Sequence, residues 1–152
     1  MKNTLILGIG NSILSDDAAG LEVIQRLKGT TSAMVKEINS NILDIINEME
    51  GFNHVVIVDS IKTEKGIPGT WCKMQPDDLL DSNMRNSSST HSMNLPFAIR
   101  IAKECGCKLP EKIDIYAIEI KDNHTFAEGC CQAVQQAVQD VSSQILTSLG
   151  ES

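Results

Sequence analysis

The chain is predicted to be an α/β protein, a three-layer α/β/α sandwich around a mostly parallel five-stranded sheet with one antiparallel strand. Three observations carry that expectation. Apolar runs of strand length alternate repeatedly with stripes of helical period, the pattern of βα units stacked around a parallel sheet. The run His54-Val55-Val56-Ile57-Val58 is rich in β-branched residues and lacks an alternating polar face, which suits a central strand covered on both sides. Near the middle of the chain, only about ten residues separate one strand from the next, too few for a helical crossover, so that strand is expected to run antiparallel.

The elements follow in order. Residues 3–8 read as a buried strand, and residues 16–27 as a helix with Leu21, Ile24 and Leu27 turned inward and Gly29 as its stop. Residues 33–38 are strand-like, after which Ile42, Ile45, Ile46 and Met49 recur at i, i+3, i+4 and i+7 until Gly51. The third strand, 54–58, finishes on Asp59. Residues 62–68 are polar and turn-rich, 69–74 form a short strand, and 77–80 add a single helical turn. Residues 81–92 are serine-rich and aperiodic, and a loop of this length in a small domain usually serves function or movement. A helix over 95–105 accommodates Pro96 in its first turn and stops at Gly106, and 113–120 form the last strand. Thr125 and Glu128 have the spacing of a capping box for the final helix, whose stripe of Cys130, Val134, Ala137, Val141, Ile145 and Leu149 faces the sheet. No repeat or linker interrupts this pattern, so residues 1–152 are expected to form one domain.

Composition bounds the partners. With 152 residues and 41% hydrophobic content, the chain can bury a stable core without metal or disulfide staples. A net charge of -7 repels nucleic acid and anionic membrane alike, and neither is expected as a partner. Met1-Lys2-Asn3 leads directly into a strand and no segment approaches the roughly 18 apolar residues of a membrane span, so a cytoplasmic protein is expected. Five cysteines, an odd number without framework spacing, agree with a reducing compartment. Cys105, Cys107, Cys130 and Cys131 read as buried or inert thiols rather than metal ligands.

The chemistry concentrates in Gly8-Ile9-Gly10-Asn11-Ser12-Ile13-Leu14-Ser15-Asp16-Asp17-Ala18-Ala19-Gly20, where a strand passes through a glycine turn into a helix. A dinucleotide fingerprint needs a third glycine where Ile13 stands and a helix start that welcomes phosphate. Asp16 and Asp17 repel phosphate and attract a cation. One of this pair, Asp59 and a histidine make an N/O ligand set suited to nickel, zinc or manganese, with positions left open for substrate. Each residue also has a plainer account. Acids near a helix start favour the dipole, Asp59 can begin a turn, and His91 in a serine-rich loop can be solvated. His54, opening a strand, and His124, before the last helix, read as structural.

The same stretch resembles the N-terminal signature of the hydrogenase maturation proteases, which clip a C-terminal extension from the large subunit of nickel-iron hydrogenases. The resemblance continues through Val55-Val56-Ile57-Val58-Asp59, Pro76-Asp77-Asp78-Leu79 and Thr90-His91-Ser92-Met93-Asn94-Leu95, and so covers most of the chain. It implies that Asp17, Asp59 and His91 are metal ligands and catalytic residues, with Asp16 as the candidate general base. It also implies that Gly8, Gly10 and Asn11 shape the turn and bind the substrate peptide. The implied metal is nickel carried by the substrate precursor rather than a permanent cofactor, and the implied partner is the hydrogenase large-subunit precursor, met by a monomeric protease. Glu37-Ile38-Asn39-Ser40-Asn41 departs from the aspartate and glycines that many relatives carry there, so the substrate groove should differ at that point. The rival functions are a non-proteolytic nickel-binding assembly factor, a dinucleotide-binding domain with Glu37 as its ribose acid, and a small-molecule metallohydrolase. A cleavage assay, affinity for a nicotinamide cofactor and zinc in the purified protein separate them.

Overall fold

The computed structural model describes residues 2–10, 18–38, 42–80, 95–121 and 130–151. Its elements are β1 (Lys2–Ile9), α1 (Ala19–Leu27), β2 (Met34–Ile38), α2 (Ile42–Met49), β3 (Phe52–Ile61), β4 (Trp71–Met74), a 3-10 helix (Pro76–Leu80), α3 (Leu95–Glu104), β5 (Lys112–Glu119) and α4 (Gln132–Ser148). The sheet runs in the order β2-β1-β3-β5-β4. Every adjacent pair is parallel except β4 with β5, as the short connection before β4 requires.

Side-chain alternation along the central strands divides the core in two. Leu5, Leu7, Val55, Ile57, Ile113 and Ile115 pack under α2 and α3, with Ile45, Met49, Leu95 and Ala102 closing that layer. Ile6, Val56, Val58, Tyr116 and Ile118 face the opposite way, beneath Ile24 and Leu27 of α1 and Val134, Val141 and Ile145 of α4. Both faces of the sheet are therefore dry, which explains why β1 and β3 read as unbroken apolar runs. The inward stripes of all four helices fall where their periods put them, and Gly29, Gly51 and Gly106 each hold a positive φ at the stops expected of them. No helix among the described residues is long and apolar enough to cross a membrane.

Three of the boundaries that differ from the sequence reading bear on the site or its supports. β3 runs on to Ile61 because Asp59, Ser60 and Ile61 pair with Ala117, Ile118 and Glu119 of β5, so Asp59 lies inside the strand rather than at its tip. α1 begins at Ala19, whose small side chain and Gly20 let the first turn press onto the sheet, and its first-turn acid is Glu22. α4 begins at Gln132 with Cys131 at the cap and no side-chain cap bond. Thr125 and Glu128, the capping box expected there, lie outside the described residues, as does the 81–92 loop.

Candidate functional site

β1 sends its chain one way into β2 and receives β3 on its other side, which makes the crevice between β1 and β3 the topological switch point of the sheet. Open α/β sheets bind ligands there, beyond the carboxyl ends of the strands. β1 and β3 pair as far as Gly8 with Val58, so the next residues, Ile9 and Asp59, stand level at that crevice. Asp59 shares the α2/α3 face with Ile57 and Ile61, its two neighbours at period two. It is 1% exposed, and its Oδ1 accepts a 2.8 Å bond from the Ser60 N–H. A carboxylate at that depth needs polar groups or a cation to compensate it, and the Ser60 N–H is one such partner.

Gly8 and Gly20 bring the first turn of α1 against the same strands by close approach. A Cβ on Gly8 would stand 2.2 Å from Ile24 Cγ1 and 2.4 Å from the Gly20 carbonyl oxygen. One on Gly20 would stand 2.4 Å from the Ile9 oxygen and 2.5 Å from the Val58 oxygen. The start of α1 therefore sits directly on β1 and β3. Gly10 donates its N–H to the Ile38 carbonyl at 3.3 Å, which ties that amide to β2. Asn11, Asp16, Asp17 and His91 lie outside the described residues. Among the described residues, no group of three acidic, histidine or cysteine side chains is placed to hold a metal ion.

Beside Asp59 the α2/α3 face opens into a cleft of about 680 Å³, lined by Ile61, Thr63, Lys65, Cys72, Ala117 and Glu119 among others. Ala117, which lines the cleft, is the register partner of Asp59. Burial raises the Cys72 thiol pKa, and the negative charges of Glu119 and then Asp78 raise it further, so this thiol is protonated and no nucleophile at neutral pH. Sequence reasoning passed over Glu119. Its one signal was an acid inside a strand otherwise buried on both faces.

A doubly wound sheet with a buried carboxylate at its switch point places Asp59 where open α/β sheets bind their ligands. The family profile of the hydrogenase maturation proteases matches residues 6–148, and the chain belongs to that family; it is a peptidase of hydrogenase maturation. The sequence is similar to the hydrogenase 2 maturation protease of Escherichia coli (strain K12), 24% identical over 161 residues that span 97% of this chain and 91% of that one. The fold is similar to that of the hydrogenase maturating endopeptidase HybD from E. coli, with a TM-score of 0.77 at 21% identity, covering 98% and 92% of the two chains. It is also similar to the NiFe hydrogenase maturation protease HybD from Thermococcus kodakarensis, with a TM-score of 0.75 at 24% identity, covering 98% and 99%.

Proposed function

We propose that this peptidase removes the C-terminal extension of a nickel-iron hydrogenase large-subunit precursor after nickel insertion, and that Asp17, Asp59 and His91 read the bound nickel. The observation that carries the reading is the buried Asp59 carboxylate, level with the glycine turn at the switch point of a chain from this family. In this reading nickel is part of the substrate. Two carboxylates and an imidazole complete its coordination sphere, hold the precursor near the scissile bond and turn away a precursor without metal. The ion polarises the scissile carbonyl or a water as a Lewis acid. Asp16, next to the ligand Asp17, is the candidate base for that water, and Gly8, Gly10 and Asn11 frame the peptide. The protease is a cytoplasmic monomer whose protein partner is the precursor.

The test mixes purified protein with precursor large subunit, with and without nickel, and follows the tail by mass spectrometry. Loss of the tail only from the nickel-loaded form is expected; equal cleavage of both forms removes the nickel checkpoint and leaves proteolysis standing. Asp17→Ala and His91→Ala should each abolish processing in a protein that still folds. A fully active His91→Ala variant overturns the ligand set.

A further inference from the structure

Glu119 ends β5 on the α2/α3 face and is 6% exposed, yet its carboxylate lines the cleft beside Asp59. Thr63 holds both oxygens, donating its N–H to Oε2 at 2.8 Å and its hydroxyl to Oε1 at 2.6 Å. The turn that follows is folded down onto the carboxyl group: a Cβ on Gly66 would stand 2.0 Å from Glu119 Cδ, so any larger residue there must displace the carboxylate. The backbone on either side is tied to the same residue, Gly69 N–H to the Glu119 carbonyl at 2.9 Å and Glu119 N–H to the Thr70 carbonyl at 2.8 Å. The 62–70 connection is thus built around one carboxylate.

Among the described residues Glu119 forms no ion pair, although Lys65 lines the same cleft, and its two hydrogen bonds leave lone pairs unused. Two neutral donors offset only part of the cost of burying a carboxylate, so a cation beside it gains. A positively charged group entering the cleft meets a fixed, desolvated acceptor, where a charge-assisted bond is strongest. Glu64 adds a second negative charge to the lining, while the floor of Ile61 and Ala117 is apolar and suits a methylene stem.

The position says what brings that group. Glu119 lies two residues beyond Ala117, the register partner of Asp59, which is about 6.6 Å along the strand. A polypeptide gripped at Asp59 therefore passes a neighbouring side chain over the cleft. We propose that this cleft is a specificity subsite that receives a lysine or arginine side chain of the bound polypeptide, its stem on Ile61 and Ala117 and its cation on Glu119. The inference rests on the protease reading for its substrate, but the subsite is measurable without cleavage.

The probe is N-acetyl-arginine amide, compared with the neutral isostere N-acetyl-citrulline amide, titrated into the isotopically labelled full chain. Saturable amide shifts at Thr63, Gly66, Cys72 and Glu119 are expected for arginine and not for citrulline. Glu119→Gln keeps an acceptor for Thr63 and should weaken arginine binding roughly tenfold, the difference made by a charged acceptor. Should that variant fail to fold, Cys72→Lys decides, because it supplies an ammonium from β4 into the same cleft: loss of arginine binding with a raised thermal midpoint is expected. Equal shifts from arginine and citrulline, or a Cys72→Lys protein that binds arginine as well as the parent, overturns the subsite. With precursor as substrate, Glu119→Gln should raise KM about tenfold with kcat held. A chain that binds arginine without cutting precursor loses the protease reading and keeps the subsite. One that cuts precursor with an unaltered KM in Glu119→Gln loses the subsite and keeps the protease.

Discussion

Gly8 matters to the packing of α1 on β1 through what it lacks. The Ile24 methylene and the Gly20 carbonyl occupy the space of its missing side chain, and one of the two is backbone that cannot rotate away. Gly8→Ala must therefore lift the start of α1 from β1, an overpacking cost of about 1–3 kcal/mol. Urea denaturation should show the lowered midpoint, and precursor cleavage should fall further than the fraction unfolded explains. Asp59 calls for the opposite experiment, a change that leaves shape alone. Asp59→Asn retains an oxygen for the Ser60 N–H and should keep the urea midpoint near that of the parent. Without the charge, processing should drop by more than the roughly 10–100-fold that loss of a mere outer-shell partner costs at a metal. An Asp59→Asn enzyme cutting at the parent rate would show that the carboxylate grips no cation.

β4 depends on side chains as much as on its single ladder. It is an edge strand, four residues long, and the chain leaves it through Gln75 into the 3-10 helix. Gln75 Nε2 donates to Asp114 Oδ1 at 2.9 Å, and His54 Nε2 lies 2.8 Å from Asp114 Oδ2, so one buried aspartate ties β3, β5 and the exit from β4 together. Lys112 and Lys73 stand at 3.9 and 4.0 Å from the same oxygen and offset its charge. Asp114→Ala strands these partners and should cost about 2–3 kcal/mol, read from the urea midpoint, with amide exchange rising first in β4 and the 3-10 helix. This cluster marks where sequence reading stopped. His54 was legible as structural, and the elements themselves were legible, because periodicity and glycine stops are local. Asp114 and Glu119 were not, since their partners Gln75 and Thr63 come from other segments and no spacing announces them. Asp59 was found by its place after an apolar run, yet its depth inside β3 was missed because pairing with β5 sets where that strand ends.

The two ends of the sheet do different work. The carboxyl edge carries the switch point, the Gly8–Gly20 contact and the cleft, whereas the opposite edge is closed by the chain's last turn. Glu151, past the end of α4, accepts bonds from the Ser32 hydroxyl at 2.6 Å, the Ser32 N–H at 2.9 Å and the Thr31 hydroxyl at 2.5 Å, which fastens α4 to the connection between α1 and β2. The α1 and α4 layer is thereby closed at a point remote from the crevice, so it can be loosened without touching the site. The Ser32 and Thr31 hydroxyls, with the Ser32 amide, hold the Glu151 carboxyl pKa below its ordinary range, against a smaller opposing effect of burial. A carboxyl whose pKa is lower in the folded chain than in the unfolded one stabilises the fold in its charged form. That stabilisation is complete above the unfolded value and disappears as pH falls through the folded one. Thermal midpoints of the parent and Glu151→Gln, compared from about pH 7 down to about pH 3, should therefore differ at neutral pH and converge in acid, because protonation removes from the parent what the substitution removes from the variant. Precursor cleavage at neutral pH and moderate temperature should be the same in both proteins, since the tie lies at the far edge of the sheet from Asp59; a gap in midpoint that persists at the acid end would mean that the carboxylate is not what fastens the last turn.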